Sequence, residues 1–392
     1  MRVVHVANFY GPRSGGIRTA MHALAHQYEV HGHEPVLVVP GPTSSVTRRA
    51  GVPVVTVPAP QVPGTGGYRM VLRPDRVRRL LDTLAPDLLE VSDRTTLTGL
   101  GEWAREAGVP SVLWLHERVD GVLRAFGPGW GAARVSPPVG AGLRTVADLH
   151  NSRTLPRFDR LVATTSFAAT EAERLAGRLE GMPPLHRVPL GVDLETFTPD
   201  RYDAAERARL APAEEAVVLV VSRLSREKRV DLAVDAVARL RAAGRPARLV
   251  VAGAGPLAGA LEQRARAARV PATFLSFVPD RARVATLLAS ADVVLAPGPV
   301  ETFGLAALEA LACGTPVVAS STSAVPEIVG PAGALGAPVP AALALALHEV
   351  LERPTPGRRH AARARAELFP WSAAGEAMLA LHGAPVLAGT RP

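Results

Sequence analysis

Aromatic residues are scarce in this chain: Phe, Trp and Tyr together make 4% of 392 residues, although apolar residues as a class make 47%. Its cores must therefore be built mainly from Ala, Val and Leu. Cysteine is almost missing, and Cys313 on its own excludes an internal disulfide. No Cys/His cluster has the spacing of a structural zinc site, and no cofactor is expected. No apolar run approaches the roughly 20 residues that a membrane span needs; Ala341 to Leu347 is among the longest. Met1 to Ala7 is too short an apolar stretch for a secretory signal and reads as a strand. The expectation is a cytoplasmic protein, at most peripheral at the inner face of a membrane. Basic runs interleaved with aromatics are also lacking, which argues against nucleic acid as a partner.

What the chain does have is length, arginine and regular alternation. Its 44 basic residues outweigh 36 acidic ones, a net charge of +8 that suits an anionic partner such as a nucleotide phosphate or a lipid surface. The length favours two domains. Val/Leu runs alternate with Ala-rich helical stretches, the pattern of α/β layers with buried parallel strands. In the first half, strands are expected at Val3–Ala7, Val36–Val39, Val52–Val57, Leu88–Val91, Ser111–Leu115 and Leu161–Thr164. Pro74 opens an amphipathic helix carrying Val77, Leu80, Leu81 and Leu84. Gly121 to Gly142 has weak periodicity and reads as an insertion. Pro199 to Pro212 reads as a polar linker, after which the pattern restarts. Strands follow at Ala216–Val221, Leu249–Ala252, Thr273–Phe277, Val293–Ala296 and Pro316–Ala319. The economical fold is two Rossmann-like domains facing each other across a cleft, over 1–195 and 196–370, with a last helix at about 371–385 packing back on the first.

Four short segments carry the chemistry. In Glu301-Thr302-Phe303-Gly304-Leu305-Ala306-Ala307-Leu308-Glu309, a strand leads through a Pro-Gly-Pro turn into a helix for which Thr302 is the expected N-cap. Glu301 then sits at the carboxyl end of a strand, where open α/β sheets bind ligands. The backbone N–H groups of Phe303, Gly304 and Leu305 suit a diphosphate. Of Glu301 and Glu309, one would accept from sugar hydroxyls and the other from a ribose. In Ser222 to Lys228, Arg223 and Lys228 can converge on an anion and stabilise a departing diphosphate. Gly15 and Gly16 would let a phosphate or sugar approach the backbone closely. His116 directly follows a strand.

At these residues the chain resembles glycosyltransferase family 4, retaining enzymes of the GT-B fold that include bacterial phosphatidylinositol mannosyltransferases. Glu301 and Glu309, with seven residues between them, match its paired-glutamate motif, and Arg223 and Lys228 match its phosphate-binding pair. Val188 to Asp193 with Phe197 resembles the segment closing the first domain, although Leu190 stands where Asn is common; Phe369-Pro370-Trp371-Ser372 resembles the start of the final helix. The resemblance implies a metal-independent transfer that keeps anomeric configuration, with a donor phosphate oxygen taking the acceptor's proton. It also implies that His116 positions the transferred sugar. A nucleotide-diphosphate sugar would be the donor, with GDP-mannose preferred to a UDP-sugar, and the acceptor is a hydroxyl the sequence does not identify.

Other readings compete at several points. Solvated charges would also explain Arg223 and Lys228 in so Arg-rich a chain, and simple turns would explain Gly15 and Gly16. Gly253-Ala254-Gly255 makes a poor dinucleotide fingerprint, because Pro256 interrupts it and no acidic residue ends the next strand. Gly253 is instead expected to line the nucleotide site, as is Val278. Arg73, Arg76, Arg78 and Arg79 would suit an anionic membrane, yet a solvated helix face explains them as well. A nucleotide-sugar 2-epimerase or a non-catalytic sugar-nucleotide binder would share most of these residues.

Overall fold

The structure, a computed structural model, describes residues 1–11, 15–62, 67–116, 118–121 and 137–383, with only the backbone given over 137–141. The chain divides into two compact units, one formed by Met1–Gly191 with the C-terminal stretch from Trp371, the other by Val192–Pro370.

The first unit is built on an eight-stranded sheet in the order β3-β4-β2-β1-β5-β6-β7-β8. Its central strands are β1 (Arg2–Ala7), β2 (Glu34–Gly41), β5 (Leu88–Ser92) and β6 (Ser111–Leu115). They pair in parallel and their residues are almost all buried, as strands covered on both faces must be. β3 (Ser45–Arg49) is antiparallel to β4 (Val52–Pro58) and fully exposed. The sequence pattern missed it because an edge strand buries no apolar face. β7 (Arg160–Ala163) and β8 (Leu185–Arg187) complete the sheet. Trp114, Tyr28 and Phe158 are among the largest fully buried side chains and fill its interior.

The second unit has a six-stranded parallel sheet in the order β11-β10-β9-β12-β13-β14, the doubly wound order in which the chain reverses direction between β9 (Ala216–Val221) and β12 (Val293–Ala296). The first unit reverses in the same way between β1 and β5. β10 (Ala247–Ala252) and β13 (Val317–Ser320) flank the centre. β14 (Ala334–Gly336) is a three-residue edge strand not expected from the sequence. β11 (Ala272–Phe274) stops short of the expected Phe277, and Ser276 beyond it takes a left-handed φ of 59°.

Two further expectations are corrected. Pro199 to Pro212 is no linker: it holds a 3-10 turn and the helix Ala204–Leu210, capped by Asp203. Buried Glu206 on that helix pairs with Arg283 at 2.6 Å, which fastens the segment to the second unit. Within the expected insertion, a helix begins at Pro137 and runs to Thr154; residues 122–136, with Arg124, Phe126, Trp130 and Arg134, lie outside the described residues.

The helix Trp371–Leu381 returns to the first unit and packs on the first helix of the chain, Gly16–Val30. Contact is close because Gly375 has no side chain: a Cβ there would lie 2.5 Å from Cβ of Gln27. Gly375→Val is expected to destabilise the protein by about 1–3 kcal/mol through overpacking. A urea midpoint equal to that of the wild type would show that the helix is not held at this distance.

Candidate active site

In the second unit, the loops leaving β9 and β12 meet at the point where the strand order reverses. The β9 loop carries Ser222 to Lys228, and the β12 loop carries Pro297 to Gly304. Lys228 Nζ lies 2.5 Å from Glu301 Oε2, and both side chains are about three-quarters covered. The structure thus joins two of the expected site residues in one ion pair across the switch point. Arg223 is more exposed and pairs with Glu227 on its own loop at 3.1 Å. Arg229, next after Lys228, has a left-handed φ of 48° and pairs with Asp231. A strained non-glycine residue at a loop tip is a common mark of a functional turn.

The helix after β12 spans Leu305–Ala312, and its N-cap is Gly304, not Thr302 as expected. The reason is conformational. Gly304 has φ of 93°, and a Cβ there would lie 2.8 Å from Val325 Cγ2. Ala307 and Leu308 donate to the Gly304 carbonyl, so the N–H groups of Gly304, Leu305 and Ala306 precede the intrahelical ladder. Phe303 is buried and anchors the turn. Glu301 O accepts from Ala324 N at 2.8 Å, which ties the loop to the next helix.

Glu309 lies on the buried side of this helix and meets Arg281 Nη2 at 3.0 Å. Burial pushes its carboxyl above the ordinary range, and Arg281 opposes that shift. Arg281 also stacks over Phe197, 4.8 Å from the ring centre. The sequence reading missed Arg281; its one signal is its place as first residue of a helix capped by Asp280, just after Val278. Val278 is half-buried, and the neighbouring Phe277 is exposed, a large apolar face left open on the loop after β11. Gly253 has a packing explanation of its own: a Cβ there would lie 1.8 Å from the Ser222 carbonyl oxygen. The glycine is therefore required to seat the β10 loop against the β9 loop.

The first unit holds His116, Gly15 and Gly16. Neither glycine has positive φ, and a Cβ on either would meet open space. Gly15 is the N-cap of the helix Gly16–Val30, a position that tolerates glycine well. Phe9, between β1 and this turn, has a left-handed φ of 55°. His116 follows β6. Its ring lies 5.3 Å from the Trp114 ring and nearly parallel to it, and its Nε2 lies 2.8 Å from Ser92 Oγ. Burial lowers its pKa to about 3, so the ring is neutral at ordinary pH. Beyond it, Val119 and Asp120 donate their N–H groups to the buried Glu171 carboxylate, which also holds Arg94.

Among the described residues no group of three or more His, Cys, Asp or Glu could hold a metal ion, and no helix is long and apolar enough to cross a membrane.

Two family models match the chain: the Glycosyl transferase 4-like domain over residues 15–191 and Glycosyl transferases group 1 over residues 202–368. The chain is 48% identical over 386 residues to the GDP-mannose-dependent alpha-(1-6)-phosphatidylinositol dimannoside mannosyltransferase of Mycobacterium tuberculosis, covering 98% of this chain and 96% of that protein. It is 34% identical to D-inositol 3-phosphate glycosyltransferase 1 of Catenulispora acidiphila, over 73% of this chain and 69% of that protein. In fold it is similar to sucrose-phosphate synthase from Thermosynechococcus elongatus, with a TM-score of 0.79 at 21% identity, covering 97% of this chain and 98% of that one. The fold is thus of the GT-B type. A match of this depth along nearly the whole length places the chain in the group 1, family 4-like glycosyltransferases, enzymes that carry a sugar from a nucleotide-sugar donor to an acceptor.

Proposed function

We propose that this enzyme moves mannose from GDP-mannose to a hydroxyl of an inositol-bearing mannolipid, with retention at the anomeric carbon and without a metal. The observation that carries the reading is the 48% identity, over nearly the full length of both chains, to a GDP-mannose-dependent mannosyltransferase acting on a phosphatidylinositol dimannoside. The second relative, named for D-inositol 3-phosphate, supports an inositol group in the acceptor.

On this reading the acceptor oxygen bonds to the anomeric carbon, the bond from that carbon to the β-phosphate oxygen breaks, and a donor phosphate oxygen takes the acceptor's proton. GDP leaves. Arg223 and Lys228 offset the charge that grows on the diphosphate, together with the N–H groups at Gly304 and Leu305. Glu301 accepts from sugar hydroxyls and Glu309 from the ribose, while Phe277 and Val278 face the base. Gly15, Gly16 and His116 position the transferred sugar and the incoming hydroxyl.

A lipid acceptor implies contact with a membrane surface. The helix Pro74–Leu84 offers Arg76 and Arg79, which with Leu80, Val46 and Val55 line a cavity of about 550 Å³. Against this, Arg73 and Arg79 share Asp75, and Arg78 is bonded to the Gly99 carbonyl. Membrane contact therefore rests more on the acceptor than on free charge.

Transfer from labelled GDP-mannose to a phosphatidylinositol mannoside in anionic vesicles should exceed transfer from UDP-glucose, and should exceed transfer to D-inositol 3-phosphate in solution. Preference for the UDP-sugar would overturn the donor; preference for the soluble phosphate would overturn the acceptor. Glu309→Ala should weaken GDP binding by about 1.5–3 kcal/mol through loss of a charged hydrogen bond, and unchanged calorimetric affinity would remove Glu309 from the ribose. Lys228→Ala should lower kcat more than it raises the donor's Kd, because the diphosphate charge grows as the bond breaks. A raised Kd with kcat unchanged would mean that Lys228 serves ground-state binding only.

A further inference from the structure

Glu309 stands in the helix Leu305–Ala312 with 11% of its side chain exposed. A carboxylate so covered needs a donor in place of the water it has lost. Arg281 supplies it: Nη2 donates to Glu309 Oε1 at 3.0 Å. Among the described residues this is the one hydrogen bond that the Glu309 side chain makes, and it engages a single oxygen.

Arg281 is held from a second side. It opens the helix Arg281–Ser290, which Asp280 caps, and its guanidinium carbon lies 4.8 Å from the centre of the Phe197 ring. Phe197 is fully buried and serves as a fixed platform. A planar guanidinium laid on an aromatic face has its plane set before it meets a carboxylate. Arg363 joins the two supports: its Nη1 donates to the Phe197 carbonyl at 2.9 Å and to the Ala312 carbonyl at 3.0 Å, and Ala312 ends the helix that carries Glu309. Platform, guanidinium and carboxylate thus belong to one frame, all of it inside the second unit.

Charge acts in the same direction as geometry. Burial favours the neutral form of Glu309, and nearby Asp193 does so too; Arg281 is the group that opposes them. An ionised carboxylate is the better acceptor from a hydroxyl, since charge-assisted hydrogen bonds are the stronger kind. The Arg281 side chain is itself about half open to solvent, so the ion pair adds little to stability. Its effect falls on the carboxylate.

We propose that Arg281 is a positioning residue for the nucleotide's ribose: it fixes Oε1 of Glu309 and leaves Oε2 to accept from a ribose hydroxyl. This rests on the reading of Glu309 as the ribose acceptor. Arg281 acts only through Glu309 and touches neither the diphosphate nor the base. Its removal therefore costs recognition of one hydroxyl and nothing else.

Calorimetry of the full-length enzyme with GDP, 2′-deoxy-GDP and 3′-deoxy-GDP tests this. The wild type should bind GDP more tightly than at least one deoxy analogue, and Glu309→Ala should abolish that preference. Arg281→Ala should weaken GDP about 5–10-fold, within the coupling usual for side chains sharing a hydrogen-bond network, and leave the disfavoured analogue unchanged. Arg281→Lys keeps the charge without the fork and should recover part of the preference. Added to Glu309→Ala, Arg281→Ala should weaken GDP no further. Unchanged GDP affinity in Arg281→Ala overturns the proposal. An equal loss for GDP and both analogues also overturns it, because Arg281 would then contact the nucleotide directly, and so does a loss that persists beside Glu309→Ala. A wild type that binds all three alike, or a Glu309→Ala that keeps the preference, would remove Glu309 from the ribose and sink both the reading and the proposal, a failure seen before Arg281 is altered.

Discussion

A carboxylate with no exposure to water can exist in a folded protein only if its surroundings replace the hydration it lost. Glu90, fully buried on β5, meets that condition with three hydrogen-bond partners, Trp114 on β6, Tyr28 on the first helix and His382 after the last, and with His5 on β1 3.2 Å away. The three central strands of the first sheet and the two helices that pack together over it are therefore tied to one charge. Losing a donor removes part of what replaces water around the charge, so the elements must assemble together or the charge must be neutralised. The chain's returning C-terminus belongs to this arrangement, because His382 lies nearly 300 positions beyond Glu90 and still reaches its oxygen.

How legible this was in the sequence depended on whether the signal was local. Buried parallel strands announce themselves as Val/Leu runs, and Ala216–Val221 has the same bounds in sequence and structure. The edge strands β3 and β14 gave no such run, since one is wholly exposed and the other is three residues long. The site followed the same division. Glu301, Glu309, Arg223 and Lys228 stand beside strand ends and in motif spacing, whereas Glu90 reads in sequence as one polar residue in an apolar strand. Its partners lie 24 to 292 positions away, and only the strand order brings them together. Arg281 was hidden for the same reason: its partner Glu309 is on a different helix.

Glycines divide along another line. Gly253 and Gly304 are demanded by backbone packing or by a left-handed φ, and each would be needed whether or not a ligand ever bound. Gly15 and Gly16 are exposed and unconstrained. In the sequence all four read as part of a ligand site. The structure separates those that shape a loop from those that leave room beside one.

The donor-side charges also behave differently from their count. Arg223 is matched by Glu227 and Lys228 by Glu301, so the two cations that suggested an anion site are both balanced by carboxylates. Attraction for a diphosphate then comes, on the proposed reading, largely from the helix N-terminus at Gly304 and Leu305, where N–H groups precede the ladder. On the proposed reading, Glu301 also accepts from the sugar's hydroxyls. Each such bond takes up electron density that otherwise faces Lys228, and so frees the ammonium for the phosphate. Sugar and diphosphate would then be recognised through one ion pair, each easing the binding of the other, and a free nucleotide would leave Lys228 still bound to Glu301. That coupling gives a salt bridge still partly open to solvent, otherwise worth little to stability, a reason to sit where the sheet reverses.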